Sequence, residues 1–510
     1  MRVIVIGGGP AGMAAAVSAK EQGAGEVLLL ERRPYLGGVL PQCVHTGFGT
    51  QLYGKDYTGG EYAWLWKTKA ESAGISILLS TTVLSIERQG QPQPENADQS
   101  GQQGQESQRE QRDRALLCGQ QGRATWRVRC VSAAEGTKIL EADAVILATG
   151  CRERTLPQML IPGSRPAGVF TAGAAQLMMN MKNYLPGKSA VILGSGDIGL
   201  IMARRMTLEG IRVKMILGQE STGLARNIVQ CVEDFQIPMR YGWTVVSTHG
   251  HARLKGVSIA PIQGGKREYV PCDTLLVATG LIPELEVCQG YEPGKDGLFV
   301  CGNAHMVHDL VDHVTEEALE TGKLAAAYLG ASGTDFGGMR EAGAAGTARG
   351  AGGLEEPRES GGPGALRETQ AQETDKSGDS FGSQGTLPKQ AVGKQGNMLC
   401  TVCPKGCVMQ VETAPFSVSG NQCEKGELFA HQELENPKRV LTTVVKTENP
   451  QVPLLSVRTD RAIDKSSLFQ VMKAVKKITV AGPIRPGKVV AQDIAGTGAD
   501  LVATWNVESP

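Results

Sequence analysis

Four cysteines near the end of the chain stand as Cys400-x2-Cys403-x3-Cys407-x15-Cys423. Three thiols come from one tight loop and the fourth from a later turn, and thiolates on such loops can converge tetrahedrally. Zinc and a 4Fe–4S cube both accept four of them. Structural zinc favours two CxxC pairs on separate knuckles, so this three-plus-one set points first to a 4Fe–4S cluster. Zinc and unliganded thiols stay as alternatives.

Two glycine-rich loops suit phosphate. Val3-Ile4-Val5-Ile6 reads as a buried strand that runs into Gly7-Gly8-Gly9-Pro10-Ala11-Gly12 and a helix-compatible stretch from Met13 to Lys20. Gly7 permits the tight turn, Gly9 lets the backbone approach a pyrophosphate, and Gly12 lets helix and strand pack closely. The helix N-terminus then offers free N–H groups and a positive dipole end. A second strand, Glu26 to Leu30, ends at Glu31, whose carboxylate is placed to bond a ribose hydroxyl pair. Farther on, Ser189 to Leu193 leads into Gly194-Ser195-Gly196-Asp197-Ile198-Gly199 and a helix from Leu200 to Leu208, a second complete strand–loop–helix unit.

These loops need sheets to hold them. At 510 residues the chain exceeds one ordinary core, and about three domains of ~150 residues are expected. Residues 1–87 alternate short apolar runs with helix-like segments, which predicts βαβ units and a parallel sheet. The Gln-rich stretch 89–125 reads as a disordered insertion in a surface hairpin, and the Gly/Ser/Gln/Glu-rich stretch 331–396 as a flexible, disordered linker. Lysine plus arginine equals aspartate plus glutamate, 52 each, so neither nucleic-acid binding nor an acidic tail is expected. No stretch approaches the ~18 apolar residues of a membrane span, and no signal-peptide pattern follows Met1, so a cytoplasmic location is expected. There, the 12 cysteines are better read as ligands, redox groups or core packers than as disulfides.

After Glu31 comes Arg32-Arg33-Pro34-Tyr35-Leu36-Gly37-Gly38. This resembles the flavoprotein class with two dinucleotide-binding domains, which includes thioredoxin and glutathione reductases and in which the segment wraps FAD. Ala144 to Gly150 matches the class's strand returning to FAD. Gly297 to Asn303 matches the segment that meets the flavin, with Asn303 where the class usually has Asp. The resemblance implies an α/β fold with two Rossmann-like dinucleotide-binding domains of the disulfide-reductase-like class, joined to a small C-terminal four-cysteine domain. FAD would be held by 1–158 and 286–330, NAD(P) by 159–285, and the four-cysteine domain would cover 397–510. The implied FAD contacts are Gly7, Gly9, Pro10, Ala11, Gly12, Glu31 and Arg32, then Gly38, Val83, Ala148, Thr149, Gly150, Gly302 and Asn303. The implied nicotinamide-nucleotide contacts are Gly194, Gly196, Asp197, Ile198, Gly199 and Gly280. The strand Val213–Leu217 ends at Leu217-Gly218 without an acid, which leaves NADH and NADPH both open.

Disulfide reductases of that class carry a CxxxxC after the Gly-Gly pair or a CxxC in the nucleotide domain. Here Val39 to Gly49 holds Cys43 alone, and Gly168 to Gln176 holds no cysteine, so local dithiol exchange has no resolving partner. The strings Ala148 to Arg154, Ile161-Pro-Gly, Thr171 to Gln176 and Gly194 to Arg205 look like those of the FAD/NAD-binding subunits of amine and opine dehydrogenases and hydrogen cyanide synthase. They also look like oxidoreductases that accompany glycerol-3-phosphate-dehydrogenase-like flavoproteins. Cys43 and His45 are candidate flavin-face groups, against a plainer reading in which their loop only positions the ring. His305, His308, Asp309, Asp312 and His313 would form i,i+4 pairs if helical, lining the flavin. Near the last cysteine, Lys425-Gly426 resembles the cluster-binding segment that opens molybdopterin oxidoreductases, and Leu399 to about Thr504 looks like a small bacterial domain of uncharacterised function.

The implied activity is hydride transfer between a nicotinamide nucleotide and FAD, with single electrons passing through a tethered cluster domain that docks and swings, to a partner flavoprotein dehydrogenase or other redox protein. One rival is a dehydrogenase component that works only in a heteromer of amine/opine or glycerol-3-phosphate type. The other is an assembly platform with a zinc-stapled interaction module.

Overall fold

The computed structural model describes residues 1–89, 125–220, 222–288, 290–330 and 395–507. Most of the insertion read at 89–125 and of the linker read at 331–396 lies outside the described residues. A strand already begins at Gln395, inside the stretch assigned to the linker.

Val3–Ile6 is apolar at every position because its strand, Arg2–Ile6, is central in a five-stranded parallel sheet. Across that sheet the order is Leu298–Val300, Ala144–Leu147, Arg2–Ile6, Glu26–Leu30 and Ser76–Leu78. Strands covered on both faces read as unbroken apolar runs rather than alternating ones. The helix Pro10–Glu21 makes the first crossover, and the long helix Val311–Gly330 packs across it. Gly322 allows that approach, since a Cβ there would stand 2.4 Å from the Ala15 carbonyl oxygen. An antiparallel sheet of Thr81–Arg88, Trp126–Ser132 and Gly136–Ala142 flanks the parallel one, with Arg88 paired to Trp126 across the insertion.

The second glycine loop rises from a second five-stranded parallel sheet, ordered Val169–Thr171, Thr274–Val277, Ser189–Leu193, Arg212–Gly218 and Met239–Tyr241. Two crossing strands, Cys151–Glu153 and Leu281–Pro283, pair antiparallel and connect the two nucleotide-binding units. The architecture is α/β with two Rossmann-like units.

The C-terminal part opens with an antiparallel sheet of Gln395–Leu399, Val408–Thr413 and Phe416–Ser419, whose first connection carries Cys400, Cys403 and Cys407. Helix Glu424–Glu435 follows Cys423. A five-stranded mixed sheet comes next, and helix Leu468–Val475 lays Leu468, Val471, Met472 and Val475 into the core.

A domain swinging on its tether is not what forms. Leu441, Leu455, Leu501 and Trp505 share one buried cluster with Met13, Tyr62 and Trp66 of the first unit. Gly60 lies so close that a Cβ would stand 2.5 Å from the Thr504 oxygen. Arg439 sits between Asp234 of the second unit (Nε to Oδ2, 2.6 Å) and Glu433 (Nη2 to Oε1, 2.6 Å). Lys465 also reaches Asp234 at 3.3 Å, Lys476 pairs with Glu209 at 3.0 Å, and Arg458 pairs with Glu61 at 3.0 Å. Arg439, Lys465, Asp234 and Glu433 are buried, and buried charges tolerate no missing partner. The described C-terminal residues are therefore built onto both nucleotide-binding units.

Candidate functional site

The first glycine loop opens into a cavity of about 430 Å³. Gly7 has φ +111°, and a Cβ there would stand 2.3 Å from the Ala148 oxygen. Gly12 seals helix to loop, for its Cβ would meet the Gly7 oxygen at 1.7 Å. Helix Pro10–Glu21 starts at Gly9 with no side chain capping it, so its first N–H groups stay free for an anion. Glu31 is buried at the end of its strand. Its Oε2 accepts from the Gly8 N–H and its Oε1 from the Arg33 N–H, both at 2.7 Å. Each oxygen keeps a lone pair, so a fixed carboxylate is presented that can still accept from ribose hydroxyls.

Of the residues read as FAD contacts, Gly7, Gly9, Pro10, Ala11, Glu31 and Arg32 line this cavity, as do Gly38, Val83, Ala148, Thr149, Gly150 and Asn303. Gly12 and Gly302 stand behind it. Gly302 packs on Ala11, where a Cβ would meet the alanine's own at 2.7 Å. Asn303 Oδ1 accepts from the His308 N–H at 3.0 Å, so its side chain shapes the loop that follows. The cradle fits FAD: capless helix end, glycine turn and oriented carboxylate meet in one cavity.

The second loop repeats the construction. Gly194 has φ +123° and its Cβ would stand 2.1 Å from the Ala278 oxygen, while that of Gly199 would stand 2.3 Å from the Gly194 oxygen. Gly196 caps helix Asp197–Leu208 without a side chain. Asp197 turns aside to accept from the Leu224 N–H at 2.7 Å and the Asn227 amide at 2.8 Å, and burial raises its pKa. Ile198 is partly buried against the sheet, and Gly280 holds φ +99° where the chain leaves it. The strand end lacks an acid for a steric reason: a Cβ on Gly218 would stand 2.0 Å from Ser195 Oγ.

Cys43 lines the FAD cavity, and its thiol points to the Val39 carbonyl and to Gln176 Oε1. Burial alone pushes its pKa up to about 12, so the thiol stays protonated at neutral pH. His45 does not line that cavity. It stacks 5.0 Å from Phe48 and faces a second cavity of about 120 Å³. Burial first, then the Arg226 and Arg204 cations, lower its pKa to about 4, against the opposing Thr46 carbonyl. His45 is therefore a neutral imidazole at physiological pH.

The segment His305–His313 also differs from expectation. The long helix starts only at Val311, so its i,i+4 pairs do not form. The cause is tertiary. Asp312 is drawn to the Gly49 and Leu52 N–H groups at 3.2 and 2.9 Å. Glu317 gathers His305 Nδ1 and His308 Nε2 on separate oxygens, each at 2.5 Å. Glu317 was invisible in the sequence, where no local spacing links it to residues 305 and 308. Arg226 was equally hidden. It spans from the second unit to Thr46 and to Asp56, the latter at 2.7 Å.

The cysteine loop closes on a Cys400 N–H to Cys407 carbonyl bond of 2.9 Å. Cys400 is buried, Cys407 half-buried, and Cys403 and Cys423 exposed. Burial raises the Cys400 pKa, and the neighbouring Cys407, Cys403 and Cys423 raise it further, which places all four thiols in one electrostatic neighbourhood. Among the described residues no three His, Cys, Asp or Glu side chains already stand in a metal-holding group. The donor set is that of a soft four-thiolate centre, but the sulfurs are neighbours rather than a finished cage. The loop faces the second cavity, which Thr401, Val402, Cys403 and Pro404 line together with His45.

No described helix is long and apolar enough to cross a membrane. Residues 424–505 match a family described as a protein of unknown function, and the match begins one residue after Cys423. The chain is 25% identical over 302 residues to an opine oxidase subunit of Agrobacterium tumefaciens, covering 55% of this chain and 52% of that one. It is 28% identical over 317 residues to the hydrogen cyanide synthase subunit HcnB of Pseudomonas protegens, covering 56% and 58%. With the probable ferredoxin reductase CtmF of Castellaniella defragrans it shares 26% over 315 residues, covering 59% and 63%. The chain thus spans between half and two thirds of these relatives' lengths. Among solved structures, the T. acidophilum thioredoxin reductase aligns with 64% of this chain and 96% of its own, at 19% identity and a TM-score of 0.46. Residues 1–305, more than half of the chain, match the pyridine nucleotide-disulphide oxidoreductase family, and the chain belongs to that family.

Proposed function

We propose that this protein exchanges electrons with a nicotinamide nucleotide through FAD and passes them singly, by way of a 4Fe–4S centre on Cys400, Cys403, Cys407 and Cys423, to a partner redox protein. It is not a disulfide reductase. The observation that carries this reading is a shared wall. Phe48 and Val311 line both the FAD cavity and the second cavity, whose far side is the Thr401–Pro404 loop. Cys403 on that loop thus faces a cavity that shares a wall with the flavin site. Bound FAD would supply the exchange between hydride and single electrons, and the cluster a one-electron carrier.

The chain's own residues do the rest. Gly7, Gly9 and the free helix end hold the pyrophosphate, and Glu31 fixes the ribose. Cys43 stays a protonated thiol on the cavity wall, and neutral His45 with Phe48 packs the partition. The loop itself is held by the second unit, through Gln230 to Thr401 at 3.3 Å and through Gly406 packed on Ala225. A cytoplasmic setting, which keeps thiols reduced, accords with eleven described cysteines that form no disulfide.

The relatives from opine oxidase and hydrogen cyanide synthase are named as subunits, which favours a second reading, an FAD-containing component of a heteromeric dehydrogenase. One experiment separates the readings. Protein purified without air is assayed for flavin, iron, sulfide and zinc, and its visible spectrum is taken before and after NADH or NADPH. About four iron and four sulfide per chain, with bleaching by either nucleotide, supports the electron-transfer reading. Flavin that bleaches over zinc, without iron or sulfide, refutes the cluster and favours a zinc-stapled module. Flavin that neither nucleotide bleaches favours the heteromer, active only with its partner.

A further inference from the structure

His308 lines the FAD cavity beside Asn303 and Val311. Its Nε2 meets Glu317 Oε2 at 2.5 Å, and Glu317 Oε1 meets His305 Nδ1 at 2.5 Å. Side-chain exposure rises along this row, from 12% at His308 to 23% at Glu317 and 62% at His305. Three proton-carrying groups thus lead from the cavity wall to water. Among the described residues, no lysine or arginine pairs with Glu317. Its remaining partner is the Gly302 N–H at 3.2 Å. The titratable neighbours are otherwise engaged: Asp312 accepts from Gly49 and Leu52, and His313, its ring 6.3 Å from that of His308, bonds Gln51. Buried Cys301 lies behind the carboxylate.

We propose that His308, Glu317 and His305 form a proton relay that carries to solvent the proton left in the flavin cavity when electrons depart singly. The balance requires such a route. NAD(P)H gives a hydride, which is two electrons and a proton, and becomes NAD(P)+. Two one-electron acceptors take one electron each, and one proton remains. It enters at His308 Nδ1, the ring nitrogen without a protein partner among the described residues. The proton on Nε2 passes to Glu317, and Glu317 releases one to His305 and water. The inference rests on the flavin cavity and needs no cluster on the cysteines.

A bland alternative assigns Glu317 only to fastening the 302–308 loop. The test uses FAD-loaded full-length protein, photoreduced without air and then mixed with ferricyanide, which takes one electron and no proton. A soluble pH-indicator dye reads proton release while flavin absorbance reads oxidation. Photoreduction makes the test independent of the nicotinamide site, so failure of nucleotide reduction and failure of the relay are distinguishable. In Glu317→Gln and His308→Ala, proton release is expected to slow about tenfold or more, a threshold set below the ~100-fold low end of general acid–base effects, and added imidazole should restore it in His308→Ala. Proton release at the native rate in both variants overturns the relay. Should the variants lose FAD, a proton inventory of release in mixed light and heavy water decides with the native protein. A bowed plot, with several protons in motion, supports the relay, and a straight line overturns it.

Discussion

Replacing Arg439 by methionine would remove one charge from a buried set in which Arg439 and Lys465 balance Asp234 and Glu433. Arg439 is 4% exposed and Asp234 2% exposed. The guanidinium makes two bonds to Asp234, at 2.6 and 3.0 Å, and two to Glu433, at 2.8 and 2.6 Å. Desolvation works against its charge, yet the hydrogen bonds it donates to Glu433 and Asp234 win and hold its pKa above the ordinary value. Without it, Lys465 still faces Asp234, but Glu433 keeps a buried carboxylate with no cation. Breaking one side of a buried pair costs about 3–5 kcal/mol. Asp234 belongs to the second nucleotide-binding unit and Glu433 to the C-terminal domain, so the cost falls on docking. Hydrogen exchange read by mass spectrometry should show protection of strands Leu454–Thr459 and Leu501–Ala503 falling by roughly two to three and a half decades, at about 1.4 kcal/mol per decade. Asp234→Asn should do the same. The double variant should cost less than the sum, by a coupling of about 0.5–3 kcal/mol. A fall of less than tenfold, or an equal fall across residues 1–330, would refute the reasoning that these charges fasten the domain.

His45 has a folded pKa near 4 against an ordinary 6.5. Above pH 6.5 both folded and unfolded chains are neutral there and its contribution is complete. As pH falls from 6.5 towards 4, the unfolded chain takes up a proton that the folded chain refuses, and stability drops by at most about 3 kcal/mol. His45→Gln should flatten that window in melting temperatures measured at pH 7 and pH 5. Cys43, held near pKa 12, should resist iodoacetamide at pH 8 in protein purified without metal, while exposed Cys403 is alkylated, as peptide mass spectrometry would read. Equal labelling of the two would contradict the buried-thiol assignment. Gly12→Ala drives a methyl into the Gly7 oxygen, 1.7 Å away. Overpacking costs about 1–3 kcal/mol, and here it falls on the FAD cradle, so the purified variant should lose bound FAD. Full flavin content would show that the loop has room to shift.

Both nucleotide cradles were legible because strand, glycine turn and helix meet within about 30 residues of chain. Val3–Ile6 and Ser189–Leu193 could be placed as buried strands, and Gly7, Gly12, Gly194 and Gly199 as forced glycines, from spacing alone. The four cysteines could be picked out by type and interval as a set of soft donors.

The sequence by itself therefore determined two dinucleotide-binding units, an oriented acid at Glu31 and a thiol-rich loop. Tertiary structure decided what each of these meets. It brought Asp234 to Arg439, 205 positions away, and turned an expected swinging arm into a docked one. It moved His45 off the FAD cavity to the cysteine side of Phe48, and drew His305 and His308 to Glu317 instead of into a helix. The physical reason is the reach of the signals. Periodicity and turn chemistry record which backbone forms and which face is buried. The partner across that face is set by long-range packing and charge pairing, which leave no mark at short spacing.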